Sequence, residues 1–88
     1  MAKVEIYVTP SCPYCIRAKA LLDKKGVNYE IIDIRQNPEK RREMLKRSDG
    51  RRTVPQIFIN DVGVGGFDDI SELDKTGKLD FLLGLKKI

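Results

Sequence analysis

The chain has 88 residues, the length of one small domain spanning 1–88, with no room for a second core. Its apolar share is 41%, and no apolar run comes near the roughly 18 residues of a membrane span, which excludes a transmembrane role. There is no His and there are two Cys, so imidazole-based hydrolysis, Cys-His proteolysis and His-ligated zinc are excluded. Two Cys cannot supply a four-ligand structural metal site from one chain, so no metal is expected without a second chain or an external thiol. The N-terminus, Met1-Ala2-Lys3-Val4-Glu5, lacks an apolar stretch of signal-peptide length, so a cytoplasmic location is expected. Paired Cys in that compartment are more often catalytic or metal-binding than stapling.

Seventeen Lys and Arg against thirteen Asp and Glu give a net charge of +4. The excess lies in one segment, Arg35 to Arg52, which holds eight basic and three acidic residues. Acids interrupt the run and no aromatic residue lies in it to stack a base, so it reads as a solvated face and not as a nucleic-acid site.

In chain order, Lys3 to Val8 alternates polar and apolar residues and predicts a first strand, broken by Thr9-Pro10-Ser11. Pro13 suits the first position of a helix, with Ala18, Leu21 and Leu22 toward the core and Arg17, Lys24 and Lys25 opposite; Gly26 closes it. Asn28 to Ile34 predicts a second strand, parallel to the first. Asn37-Pro38-Glu39 starts a helix that runs to about Arg47 and ends at Ser48-Asp49-Gly50. Gln56 to Ile59 and Val62 to Val64, joined by Asn60-Asp61, predict a hairpin. After Gly65-Gly66, Asp68 or Asp69 caps a helix through about Lys75, and Lys78 to Lys87 forms a last short helix carrying Leu79, Leu82, Leu83 and Leu85. The sum is an α/β fold, β-α-β-α-β-β-α, around four strands.

Cys12-Pro13-Tyr14-Cys15 falls where the first strand hands over to a helix. Cys12 is then at the cap, where free N–H groups and the helix dipole stabilise negative charge on sulfur, with Arg17 and Lys19 nearby. Cys15, one turn in, is expected to be more buried and to keep its proton, yet to remain within disulfide reach. A thiol held as thiolate gains abundance but loses nucleophilicity in similar measure, so the surviving benefit is a better leaving group.

Three blocks together, Cys12-Pro13-Tyr14-Cys15, Thr53-Val54-Pro55 and Gly65-Gly66-Phe67-Asp68-Asp69, resemble a small dithiol glutaredoxin of the bacterial type, over nearly the whole chain. The resemblance implies a thioredoxin-like fold with a four-stranded mixed sheet flanked by helices, and a glutathione-dependent thiol-disulfide oxidoreductase with Cys12 and Cys15 as its catalytic dithiol. It implies glutathione as cosubstrate with no tightly bound cofactor, and a groove lined by Tyr14, Thr53, Val54, Pro55, Gly66, Phe67 and Asp68, with Asp69 supporting. In the family the proline of the second block is cis. Many members carry Lys three residues before the first Cys, where this chain has Thr9, so Arg51 or Arg52 is expected to take the glycine carboxylate. Gly63 and Phe67 stand where members often carry His and Cys or Ser. The implied partners are disulfide-containing or glutathionylated proteins, with ribonucleotide reductase among the candidates, and a monomer is expected. Two alternatives are an electron donor served by thioredoxin reductase and a dimeric iron-sulfur carrier built on Cys12 and glutathione. The aspartate pair argues against the first, and Pro13 against the second.

Overall fold

All five residues of β1 (Val4–Val8) are buried, because this strand lies inside the sheet and both of its faces are covered. The structure, a computed structural model, describes residues 2–85. The elements after β1 are α1 (Pro13–Lys24), β2 (Glu30–Asp33), α2 (Pro38–Arg47), β3 (Gln56–Ile59), β4 (Val62–Gly65), α3 (Phe67–Lys75) and α4 (Lys78–Leu82). The strand order is β2-β1-β3-β4, with β1 parallel to β2 and antiparallel to β3, and β3 antiparallel to β4. This is the four-stranded mixed sheet expected from the sequence. Among the described residues no helix is long and apolar enough to cross a membrane.

Alternation along β1 sends Val4, Ile6 and Val8 to one face, where they pack with Cys15, Ala18 and Leu22 of α1, Ile70 of α3 and Leu79 of α4. Tyr7 points to the other face and joins Ile32, Ile34, Phe58 and Met44, the buried residue of α2. The second layer also holds an ion pair. Arg47, at the end of α2, donates two parallel hydrogen bonds to the Glu5 carboxylate at 3.1 and 2.9 Å and a third to the Tyr7 hydroxyl at 2.7 Å, with its guanidinium 4.0 Å from the centre of the Phe58 ring. Arg47 therefore belongs to the core and not to the solvated basic face. The Glu5 contact raises its pKa beyond that of free arginine.

Several predicted boundaries shift. The second strand is shorter than Asn28 to Ile34, because Tyr29 turns back, donates to Asp23 at 2.7 Å and packs on the α1 side, so that ladder pairing begins at Glu30 opposite Glu5. Lys25 does not face open water with Arg17 and Lys24: it bridges Asp74 of α3 at 2.5 Å and Asp80 of α4 at 2.8 Å. The last helix ends at Leu82, with Leu83 buried after it and Leu85 half exposed, and Lys87 lies outside the described residues. The Asn60-Asp61 hairpin turn forms as predicted, with φ of 51° and 68°.

The cap of α3 is also corrected. Neither Asp68 nor Asp69 is the cap: Gly66 is, which puts Asp68 at the second helical position and Asp69 at the third. Asp69 reaches back, and its Oδ2 accepts the Gly66 N–H at 2.9 Å, one half of a capping box. Gly65, at φ +95°, is required here, since a Cβ at that position would overlap the Asp69 carboxylate.

Candidate active site

The extended backbone of Cys12 (φ −100°, ψ 109°) makes it the N-cap of α1, and Pro13 follows at the position where a missing N–H costs nothing. The cap bond is made by sulfur: Cys12 Sγ accepts the Cys15 N–H at 3.1 Å. Main-chain dipoles at the helix start thus point at the sulfur that must carry charge during thiol exchange. Cys12 is 8% exposed, and its thiol donates to the Val54 carbonyl at 3.7 Å. Both cysteines are free thiols.

Cys15 is 1% exposed. Burial is the first cause that pushes its thiol up from 9.0 to about 12, and the hydrogen bond with Cys12 adds to it. Lys19 and the Thr9 backbone oppose the shift weakly. At neutral pH Cys15 is therefore a protonated thiol that can hydrogen-bond the Cys12 sulfur. Cys15 is thus the deeper of two buried cysteines, and Cys12 caps the helix above it. Arg17 lies over the Tyr14 ring, 5.4 Å from its centre.

Beside Cys12 runs a groove of about 250 Å³ lined by Tyr14, Arg51, Thr53, Val54, Pro55, Gly66, Phe67, Asp68 and Asp69. The structure thus brings eight of the predicted binding residues together along the groove. The ninth, Arg52, is exposed and is not among the lining residues; its neighbour Arg51 is. Tyr14 and Phe67 form an aromatic pair with ring centres 6.3 Å apart. The Val54–Pro55 peptide is cis. Gly66 lies against the Pro55 carbonyl, where an added Cβ would stand at 3.2 Å, so its smallness serves packing between the two loops. Gln56, which the sequence reading did not single out, is 2% exposed and donates to both the carbonyl and the hydroxyl of Thr53, at 2.9 and 3.1 Å. It fixes the turn that presents Thr53 and Val54. A buried polar residue directly after Val54-Pro55 was the available signal.

Residues 4–64 match the glutaredoxin family model, and the chain is 58% identical to Glutaredoxin 3 of Escherichia coli strain K12 over 83 residues, 94% of this chain and 99% of that one. The chain belongs to the glutaredoxin family. As a glutaredoxin it is a thiol-disulfide oxidoreductase, and its sheet and helices form the thioredoxin-like fold. The solution structure of glutaredoxin from Brucella melitensis superimposes with a TM-score of 0.83 at 55% identity, covering 100% of this chain and 95% of that one. The crystal structure of a buckwheat glutaredoxin-glutathione complex superimposes with a TM-score of 0.85 at 31% identity, covering 94% of this chain and 77% of that one.

Proposed function

We propose that this glutaredoxin uses glutathione as cosubstrate, with no tightly bound cofactor, to reduce glutathione mixed disulfides and protein disulfides in the cytoplasm, as a monomer built from one domain. The observation that carries the reading is the juxtaposition of the Cys12 thiol with a groove that ends in two carboxylates and a helix N-terminus. Glutathione has matching groups. Its γ-glutamyl end carries an ammonium for Asp68 and a carboxylate for the first-turn N–H groups of α3, which have no acceptor within the helix. Its backbone lies along Thr53 and Val54 in the groove that Tyr14, Pro55, Gly66 and Phe67 also line, and Asp69 supports the far end through the Gly66 N–H. Arg52 stands outside the groove and makes no contact in this reading.

Chemistry begins when Cys12 Sγ attacks one sulfur of the substrate disulfide. A Cys12–sulfur bond forms, the substrate S–S bond breaks, and the departing sulfur takes up a proton as a thiol. If Cys12 now carries a glutathionyl group, a second glutathione thiolate attacks the sulfur of that group. This frees Cys12 and leaves oxidised glutathione. If Cys12 carries a protein, Cys15 loses its proton and attacks the Cys12 sulfur, closing a Cys12–Cys15 disulfide and releasing the second protein thiol. Two glutathione molecules then return the dithiol, leaving as one oxidised glutathione. Partners of this second route are proteins with accessible disulfides, ribonucleotide reductase among them.

The test supplies NADPH through two systems. Turnover is expected with glutathione and glutathione reductase. Turnover sustained by thioredoxin reductase alone would overturn the glutathione assignment in favour of a thioredoxin-like electron donor.

A further inference from the structure

We infer that Arg51 is a specificity-determining residue that recognises the α-carboxylate of the ligand's γ-glutamyl end, and not the glycine carboxylate assigned to Arg51 or Arg52 from the sequence. The inference rests on the glutathione reading above and deepens it.

The Arg51 guanidinium lies 3.4 Å from Asp69 Oδ2, the oxygen that accepts the Gly66 N–H. Its backbone is held as well, because the Ser48 hydroxyl donates to the Arg51 carbonyl at 3.1 Å. A cation, a carboxylate and the start of α3 therefore meet at one end of the groove. Glutathione is three residues long, up to ~10 Å when extended, with its thiol in the middle. With that thiol at Cys12 and its ammonium among the aspartates, its glycine carboxylate points away from Asp69. Arg51 is then at the wrong end to hold it.

At the γ-glutamyl end the match is direct. The ligand's ammonium and α-carboxylate are bonded to the same carbon, and the Arg51–Asp69 pair presents the opposite charges side by side. Ligand binding exchanges one protein ion pair for two between protein and ligand, with the ammonium toward the aspartates and the carboxylate between Arg51 and the α3 N–H groups. Arg51 is half exposed, so this contact is worth about fivefold in affinity.

Affinity for glutathione alone is a poor readout, since removing Arg51 also frees Asp69 for the ammonium. The test compares three unreactive ligands by NMR titration: S-methylglutathione, its γ-glutamyl α-carboxamide and its glycine carboxamide. Each is titrated into the wild type, Arg51→Gln and Arg51→Lys. The wild type should prefer S-methylglutathione over the α-carboxamide, and Arg51→Gln should shrink that preference about fivefold while keeping the preference over the glycine carboxamide. Arg51→Lys should restore part of the loss, because it keeps the charge but not the planar fork. An unchanged α-carboxylate preference in Arg51→Gln, or a loss at the glycine end instead, would overturn the inference and leave glutathione binding standing. No binding of S-methylglutathione by the wild type would overturn both.

Discussion

Raising the pH should accelerate closure of the Cys12–Cys15 disulfide well past the point at which an external thiol stops responding. The reason is the burial of Cys15, which pushes its thiol to about 12. At pH 7 such a group is ionised to about one part in 10⁵, against about 3% for an ordinary thiol near 8.5, a deficit of roughly three-thousandfold. Nucleophilicity rises with pKa at a Brønsted slope of about 0.45, which over ~3.5 units returns roughly fortyfold. The remaining deficit of roughly eightyfold is offset by proximity, for which well-oriented intramolecular groups reach effective concentrations of 10⁵ M or more, by order of magnitude. In the mixed disulfide Cys12 carries no charge, so its own contribution to the shift falls away while burial, the larger cause, persists. The assay loads Cys12 with oxidised glutathione near pH 5, where Cys15 reacts slowly, then jumps the pH and follows loss of the adduct by acid quench and mass spectrometry. The logarithm of the closure rate should climb by about one per pH unit through and beyond pH 9. In Cys15→Ser, removal of the adduct by added glutathione should level off near the ionisation of glutathione's own thiol, about 8.5. A closure rate that also levels off by pH 9 would refute the assignment of Cys15 as a buried, protonated resolving thiol.

Other outcomes follow from the same geometry. Arg47→Met should leave Glu5, 8% exposed, as an unpaired buried carboxylate and lower the unfolding free energy by about 3 kcal/mol in urea titration. A loss of glutathione turnover by folded Arg47→Met would contradict its role on the far layer of the sheet. Gly65→Ala should displace the Asp69 carboxylate, undo the Gly66 cap and raise KM for glutathione severalfold with both thiols intact; an unchanged KM would refute the cap's role. Alkaline stability should fall between about pH 9 and 12. Cys15 and Tyr29 are each held protonated up to about 12 in the fold, Cys15 chiefly by burial and Tyr29 by burial and its bond to Asp23. Across that window the unfolded chain has released protons that the native state retains, so the stabilisation is complete at lower pH and fades as pH approaches 12. Each such proton contributes a slope of about 1.4 kcal/mol per pH unit. Urea unfolding at stepped pH should show the decline and a shallower one in Cys15→Ala; an unchanged slope in the variant would contradict the Cys15 shift.

What the sequence made legible was local. The Cys12 cap, the asymmetry between Cys12 and Cys15, the Asn60-Asp61 turn and the helix from Pro38 to Arg47 all follow from neighbours within a few residues. Local capping rules also placed the cap of α3 two or three positions too late, because an acid at the cap and an acid reaching back from the third position read alike. The spacing Gly66-Phe67-Asp68-Asp69 would have distinguished them had the glycine been taken as the cap. The partners of the basic segment have a longer-range cause. Arg47 pairs with Glu5 and Arg51 with Asp69, contacts 42 and 18 residues apart, and no window along the chain shows which cations of a basic segment are drawn inward. The basic segment thus holds one arginine drawn into the core and one at the groove, which its composition alone does not separate from their neighbours.

The most direct test of glutathione-dependent chemistry at Cys12 is the mass of Cys15→Ser and Cys12→Ser proteins after incubation with oxidised glutathione. Cys15→Ser should carry one glutathionyl adduct, mapped by peptide sequencing to Cys12, and should release it to added glutathione. Cys12→Ser should carry none and show no turnover. An adduct on Cys15 with turnover retained in Cys12→Ser would contradict the assignment of Cys12 as the attacking thiol.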